Sequence, residues 1–452
     1  MRVKLILPAL QEAAGKFFRP IKYSLFPPLG LAQLAAYLDP ADEIRILDQH
    51  VEEDDFSDSP DLVVIQTYIT NARRAYAIAD SYRSRRIYVV MGGLHATSLP
   101  EEALAHADTV ITGPAHEAWQ IFLRKFRRGE PCRGIIRDPV RTLASLPFPR
   151  RDLICRKHYL VPNSIVVSRG CPSQCEFCYT RNFFAGGTSF YTEPVDRALA
   201  EIETLPGRHL FFLDDNLFGS SSFSRALFEG MRGMKRRFQG AATTAGVLNR
   251  ELVRKAADAG LKSLFIGFES LNPASLLACR KTQNRIEEYN TVVKILRDHG
   301  IMTNASFVFG LPGDDADVFD RTVDWAVSQG IETATFHLAT PYPGTPFFEK
   351  MEREGRLLTR DWDLYDTRHA VIRHDHLTPA QLEEGYWRSY ERFYRWRSIF
   401  RGAGVKNHFS GKMRHIFYTG AWKKIDPLWH CLIRLRSLPC CSRILEKVLD
   451  MA

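Results

Sequence analysis

Short apolar runs alternating with helical stretches, in two successive series, constrain this chain more than any other feature. In the first series the strand candidates are Val3–Leu7, Glu43–Leu47, Leu62–Gln66, Ile87–Met91 and Thr109–Ile111, with helix patterns such as Gly30–Leu38 and Asn71–Arg83 between them. The second comprises Ile165–Ser168, Leu210–Leu213, Ala241–Ala245, Ser263–Phe268, Thr303–Val308 and Thr333–Leu338. Repeated βα units argue for parallel sheets, whose ligands gather beyond the carboxyl ends of the strands. At such ends the first series carries Gly92-Gly93-Leu94-His95 and Gly113-Pro114. Paired glycines let a backbone approach a bulky ligand closely.

Chemistry enters with Cys171, Cys175 and Cys178, spaced C-x3-C-x2-C in SRGCPSQCEFCYT, just after the apolar run 164–168. Thiolates hold iron–sulfur clusters, and three of them on a four-iron cubane leave one iron open to a small molecule. The alternative is a structural zinc site. Zinc commonly takes four ligands from two separated pairs, and no second pair follows.

The spacing resembles the signature of the radical S-adenosylmethionine (SAM) superfamily, in which the open iron of a [4Fe-4S] cluster chelates SAM and reduces it to a 5′-deoxyadenosyl radical. The resemblance implies that Phe177 lies near the adenine. It further implies that Asp214-Asp215-Asn216 takes the amino group of SAM, N-capping of the segment Leu217–Phe228 being the alternative, and that Glu269 and Ser270 reach the ribose or carboxylate. The turn Phe309-Gly310-Leu311-Pro312-Gly313 would recognise the adenine through its backbone. The strings FPPLGLAQLAAYL, VVMGGLHATSLPEEAL and LASLPFPRRDL resemble the cobalamin-binding domain found on one class of these enzymes. That likeness makes Gly92, Gly93 and His95 candidate cofactor contacts; His95 also reads as a capping residue. D-x-H-x-x-G is absent, and Gly113-Pro114-Ala115-His116-Glu117 stands where relatives often carry G-E-G-E, so a domain retaining the fold without cobalamin is the alternative.

The expected class is α/β. A doubly wound, Rossmann-like, B12-binding-type sheet (1–140) and a linker (141–163) precede a partial (β/α)6 radical SAM barrel (164–345) and a basic, aromatic-rich helical region (346–452). By resemblance the expected reaction is cobalamin-assisted C-methylation of a small molecule, fed by an electron donor such as flavodoxin or ferredoxin. The alternatives are cobalamin-independent dehydration or rearrangement of a sugar-like or lipid-like substrate, and a non-catalytic redox sensor. The loop Asp361–His369 reads as a cover for the barrel mouth, with Asp363, Tyr365, Asp366 and His369 as substrate contacts. Tyr342 faces either the substrate cavity or a packed turn, and His337 reads as a core residue.

Charge is unevenly placed. The whole chain is +9, while residues 385–452 alone hold 14 Lys or Arg against four Asp or Glu, so the remainder is near neutral. Trp387, Trp396, Phe400, Phe409, Phe417, Trp422 and Trp429 interleave with these cations. An amphipathic bundle with a solvated basic face accounts for the pattern, and a peripheral membrane contact is the alternative. No nucleic-acid module accompanies the charge, so no nucleic-acid partner is expected. Neither a signal peptide nor a run of 18 apolar residues is visible, which points to the cytoplasm.

Overall fold

The computed structural model describes residues 1–13, 24–138, 141–424, 431–432 and 438–451. Trp429 falls outside these residues, as does the side chain of Trp422.

Strands β1 (Arg2–Leu7), β2 (Glu43–Asp48), β3 (Leu62–Gln66), β4 (Tyr88–Gly92), β5 (Thr109–Thr112) and β6 (Gly134–Arg137) form a parallel sheet in the order β2-β1-β3-β4-β5-β6. Its central strands are near-continuous apolar runs because helices cover both faces, and Val63, Ile65, Val89 and Met91 are fully buried. Strand β6 escapes sequence expectation because only Ile135 and Ile136 are apolar in it; it is ordered by pairing with β5.

The second sheet is also six-stranded and parallel. It comprises β7 (Ser164–Ile165), β10 (His209–Phe212), β11 (Arg237–Ala242), β12 (Leu261–Glu269), β13 (Met302–Phe309) and β14 (Thr333–Leu338), in the order β14-β13-β12-β11-β10-β7. Instead of one strand over 165–168, the chain leaves the sheet after Ile165. It then pairs antiparallel as β8 (Ser168–Gly170) with β9 (Phe190–Thr192). The cause is local. The Asp214 carboxylate accepts from Val167 N and Ser168 N, and so supplies the acceptors that a neighbouring strand would otherwise provide. Gly170 has φ +78°, and a Cβ there would lie 2.0 Å from Ser189 O. Only glycine lets the ribbon cross at this point.

The outer edge of β14 is covered by the helix Pro379–Tyr394, which begins with a capping box between Thr378 and Gln381. Tyr394 Oη accepts from Ala334 N (3.1 Å) and donates to Ala334 O (3.0 Å), and Tyr390 Oη accepts from Phe336 N (3.1 Å). Two phenols thereby occupy backbone groups that an exposed edge strand would offer to another chain. The helices Trp396–Gly404, Phe409–Lys424 and Leu438–Asp450 close the amino ends of the strands. Lys406 pairs with buried Glu332, Thr419 Oγ1 donates to Glu332 O (2.7 Å), and Arg414 donates to Gly300 O (2.9 Å).

The two sheets share a core. Residues of the first domain such as Ile65, Tyr76 and Met91 pack in one cluster with Phe347, Phe348, Trp362 and Tyr365. Trp362 Nε1 donates to Glu102, and Arg73 pairs with Asp361 at 3.0 Å. The loop expected to cover the barrel mouth with substrate contacts is therefore spent largely on domain packing. Tyr365 is fully buried and its hydroxyl donates to Thr359 O, so it is a core residue. Asp363 lies 3.9 Å from Arg73, and Asp366 bonds His369 Nδ1 (3.0 Å) and the amides of Arg368 and His369. His337 Nδ1 meets Thr367 Oγ1 at 3.0 Å, and Tyr342 O accepts the turn bonds of Thr345.

Candidate active site

All three cysteines lie in the long loop between β8 and β9, and all are free thiols. Contacts from distant segments fix the loop. Cys171 N donates to Ser189 O, Glu176 N to Cys279 O, and Phe347 N to Glu176 O. Each sulfur has a polar neighbour: Asn216 Nδ2 to Cys171 Sγ at 3.8 Å, Gln283 Nε2 to Cys175 Sγ at 3.3 Å, and Thr180 Oγ1 to Cys178 Sγ at 3.1 Å. Burial pushes the Cys178 thiol up to about 11, so this group keeps its proton until a cation displaces it. Among the described residues no group of three or more His, Cys, Asp or Glu could hold a single metal ion. Three thiolates on a cubane instead bind three separate irons, and the N–H and O–H neighbours of the sulfurs suit that ligation.

The expected SAM-binding residues surround this loop with different geometries. Asp214 is buried, and its oxygens accept from Val167 N, Ser168 N and Ser168 Oγ, which makes it the brace of the ribbon. Burial raises its carboxyl to about 7 against those hydrogen bonds. Asp215 accepts from Gly170 N (2.9 Å) and from the Tyr179 hydroxyl (2.6 Å), and faces a cavity. Asn216 reaches Cys171.

Glu269 ends β12 at φ +64°, an uncommon conformation for a side-chain-bearing residue, and pairs with Lys281 at 2.7 Å. Strain of this sort persists where the surroundings over-determine it, as at ligand sites. Burial would lower the Lys281 ammonium, but Glu269, Cys175 and Cys178 outweigh it and raise the group. Lys281 also stands 5.9 Å over the Phe177 ring. Ser270 Oγ accepts from Asn272 N. The Gly310–Gly313 turn is stapled by Asp314, which accepts from Gly310 N and Leu311 N, while Gly313 O accepts from Asn272. Sequence reasoning missed Lys281 and Gln283. They follow the helix Pro273–Ala278 that comes after β12, and Gln283 is 108 residues from its sulfur, so only the fold brings them there.

Two adjoining cavities occupy the domain boundary. The larger, about 460 Å³, is lined by Gln66, Tyr68, Gly93 and Leu94 from the first domain and by Ser168, Arg169, Tyr179 and Asp215 from the second. A narrower one of about 120 Å³ runs between the first sheet and its helices, past Val64, Gly92, Gly113, His116 and Trp119. Gly93 has φ +103°, and a Cβ there would sit 2.7 Å from Thr67 O, so this turn excludes larger residues. His95 lines neither cavity; it is buried against Tyr76 Oη (3.0 Å) and Glu102 (3.2 Å) and serves packing. His116 does line the narrow cavity, and both its ring nitrogens are buried without partners. Burial, with Arg169 and Arg141 nearby, pushes its pKa well down. Arg169 Nε and Glu193 Oε2 are likewise buried and unpaired at the larger cavity. Unpaired buried polar atoms around a cavity call for a polar ligand.

A fold of this kind, with a cysteine ribbon facing a Rossmann-like sheet across a cavity, defines a two-domain enzyme that handles a large cofactor beside an iron–sulfur cluster. The Radical SAM superfamily profile matches residues 165–326 and the B12 binding domain profile matches residues 23–123. The chain is 30% identical over 400 residues to the bacteriochlorophyllide d C-12(1)-methyltransferase of Chlorobaculum tepidum, covering 85% of each chain. It is 24% identical over 383 residues to the hopanoid C-2 methylase of Rhodopseudomonas palustris, covering 80% of this chain and 72% of that one. The fold matches the radical SAM methyltransferase TsrM of Kitasatospora setae, solved with cobalamin and a [4Fe-4S] cluster, with TM-score 0.67 at 15% identity over 97% of this chain and 99% of that one. The chain belongs to the radical SAM superfamily, in the class that carries a B12-binding domain. These relationships favour methylation over dehydration or rearrangement. No described helix is long and apolar enough to cross a membrane.

Proposed function

We propose that the chain is a cobalamin-dependent radical SAM C-methyltransferase acting on a small molecule. One observation carries the reading: the carboxyl edge of the first sheet and the cysteine ribbon of the second line the same cavity of about 460 Å³. A cluster on the cysteine loop, SAM beside it and cobalamin at this cavity would supply the electron, the hydrogen-abstracting radical and the methyl group. The protein's residues bind, orient and exclude water. Cys171, Cys175 and Cys178 present the three thiolates. Asp215 and Asn216 would take the amino group of SAM, while Asp214 holds the ribbon on which Ser168 and Arg169 face the cavity. Glu269 and Lys281 offer a carboxylate for hydroxyls and an ammonium for a carboxylate, Phe177 an apolar face, and Ser270, Gly310 and Gly313 the adjoining turns. Gly92 and Gly93 would let cobalamin approach the strand ends, near which His116 and Arg169 carry unpaired nitrogens.

The reaction consumes electrons, so a flavodoxin or ferredoxin belongs to the proposal. A peripheral membrane contact also belongs to it, supported by Trp396, Phe400 and Phe409 standing exposed on the basic helices. Anaerobic reconstitution with iron, sulfide, hydroxocobalamin, SAM and reductant should release 5′-deoxyadenosine, and the protein should retain the visible absorbance of cobalamin. Cys175→Ala should fold yet reduce SAM cleavage to the enzyme-free background; continued cleavage by that variant would remove the ligand assignment.

A further inference from the structure

A third cavity, of about 450 Å³, lies between the second sheet and the C-terminal helices. Its character is opposite to that of the domain-boundary cavity. The walls are Phe211, Phe265, Phe417, Ile444, Leu445 and Val448, among other apolar residues. Its polar side chains are engaged: Asp214, its one acidic wall residue, is spent on Val167 N, Ser168 N and Ser168 Oγ. Gln239 accepts from Tyr418 Oη (3.2 Å) and bonds His209 (2.9 Å). Asn304 bonds Ser263 (2.7 Å) and Thr333 (2.7 Å), and Thr335 donates to Ala305 O (3.2 Å). Among its described lining side chains none holds a buried nitrogen or oxygen without a partner, whereas the boundary cavity has several. A polar ligand here would lose its hydration and find few groups to replace it, at about 1–3 kcal/mol for each unpaired group.

The two cavities meet at a thin wall. Phe26 and Leu213 line both, and the Phe26 ring packs on Phe211 with centroids 4.5 Å apart. Leu213 immediately precedes Asp214-Asp215 on the strand end that touches the cysteine ribbon. Hydrocarbon bound in the third cavity therefore lies one side-chain layer from the reactive space.

We infer that the third cavity is the substrate site, and that the substrate is an uncharged, predominantly hydrocarbon molecule whose apolar skeleton fills the space between the barrel and the C-terminal helices. Calling the occupant a substrate rests on the methyl-transfer reading; the cavity's preference for hydrocarbon does not. Phe26 and Leu213 are then positioning residues that set which carbon projects toward the cofactors.

The experiment titrates the anaerobically reconstituted full chain with N-phenyl-1-naphthylamine, an uncharged apolar fluorophore, and reads its emission. Saturable binding of one probe per chain is expected. Ala421, on the exposed side of the Phe409–Lys424 helix, lines the cavity, so Ala421→Trp should fill it and weaken binding roughly tenfold or more. Phe417→Asp provides a second variant, and unfolding midpoints of both show that the fold is kept. Absence of saturable binding overturns the inference. So does wild-type affinity in both folded variants, or displacement of the probe by hydroxocobalamin or SAM, which would place it in the boundary cavity. If the wild-type chain bound the probe as expected but released no 5′-deoxyadenosine, the radical chemistry would fail while the apolar site stood.

Discussion

At the scale of single residues, the Glu269–Lys281 pair does the most within the candidate site. Both side chains are about 10% exposed, and Lys281 also feels the charge of Cys175 and Cys178. Removing one member leaves the other buried without its counter-charge, which typically costs about 3–5 kcal/mol, whereas replacing both by neutral groups of similar shape costs much less. Lys281→Met should therefore destabilise the ligand-free protein by about that amount in a urea titration, and Glu269→Gln combined with Lys281→Met should recover most of it. Equal losses in the single and double variants would show that the pair is worth little. The thiolate neighbours add a second readout. With the ammonium gone, negative charge at the cysteine loop loses a favourable partner, so the reconstituted cluster should become harder to reduce.

Among the elements, the edge strand β14 and the buried start of β10 carry the clearest expectations. Tyr390 and Tyr394 satisfy β14 backbone groups from the helix Pro379–Tyr394. Tyr390→Phe with Tyr394→Phe should lower stability by about 1–3 kcal/mol for each lost partner and raise the tendency to aggregate, read by light scattering near the unfolding midpoint. His209, at the start of β10, is held neutral because burial lowers its pKa from 6.5 to about 4. Below 6.5 the unfolded chain takes up a proton that the folded chain refuses. This histidine's contribution is thus complete above pH 6.5 and is lost as pH falls toward 4, at about 1.4 kcal/mol per pH unit. The unfolding midpoint of His209→Gln should consequently gain on that of wild type as pH is lowered from 7 to 4, and a constant difference would contradict the assignment. Legibility at this scale follows from whether the signal is local. Thr378-Pro379 announces its helix because a cap and an N1 proline act within four residues. The cysteine triplet announces cluster chemistry for the same reason. Strand β6, the break after Ile165, the bracing role of Asp214 and the burial of Tyr365 depend on partners far along the chain, and no pattern in their own neighbourhoods encodes them.

For the whole molecule, the open question is what the excess positive charge is for. Part of it is structural: Lys406 and Arg414 are buried against Glu332 and Gly300 O. These groups cannot serve a surface. Arg397, Arg401 and Lys412 stay exposed, as do Trp396 at 50%, Phe400 at 56% and Phe409 at 78%. Trp396 stacks on Phe400 with ring centroids 5.8 Å apart, so two of these aromatics form one ridge. Cations beside exposed aromatic rings suit the headgroup region of an anionic bilayer, where each basic residue near the surface adds about 1 kcal/mol and the rings enter the interface. The full chain should therefore sediment with vesicles containing phosphatidylserine. Raising ionic strength shortens the reach of the charges and should weaken the association. Trp396→Ala with Phe400→Ala and Phe409→Ala should reduce binding at every salt concentration, since it removes the inserted surface and leaves the charge intact. Binding that ignores both salt and these aromatics would mean that the basic face is merely solvated. If the association holds, the apolar cavity and the membrane ridge belong to the same set of helices, and a hydrocarbon substrate would pass from bilayer to barrel across Phe417 and Ile444, which are exposed and also line the cavity.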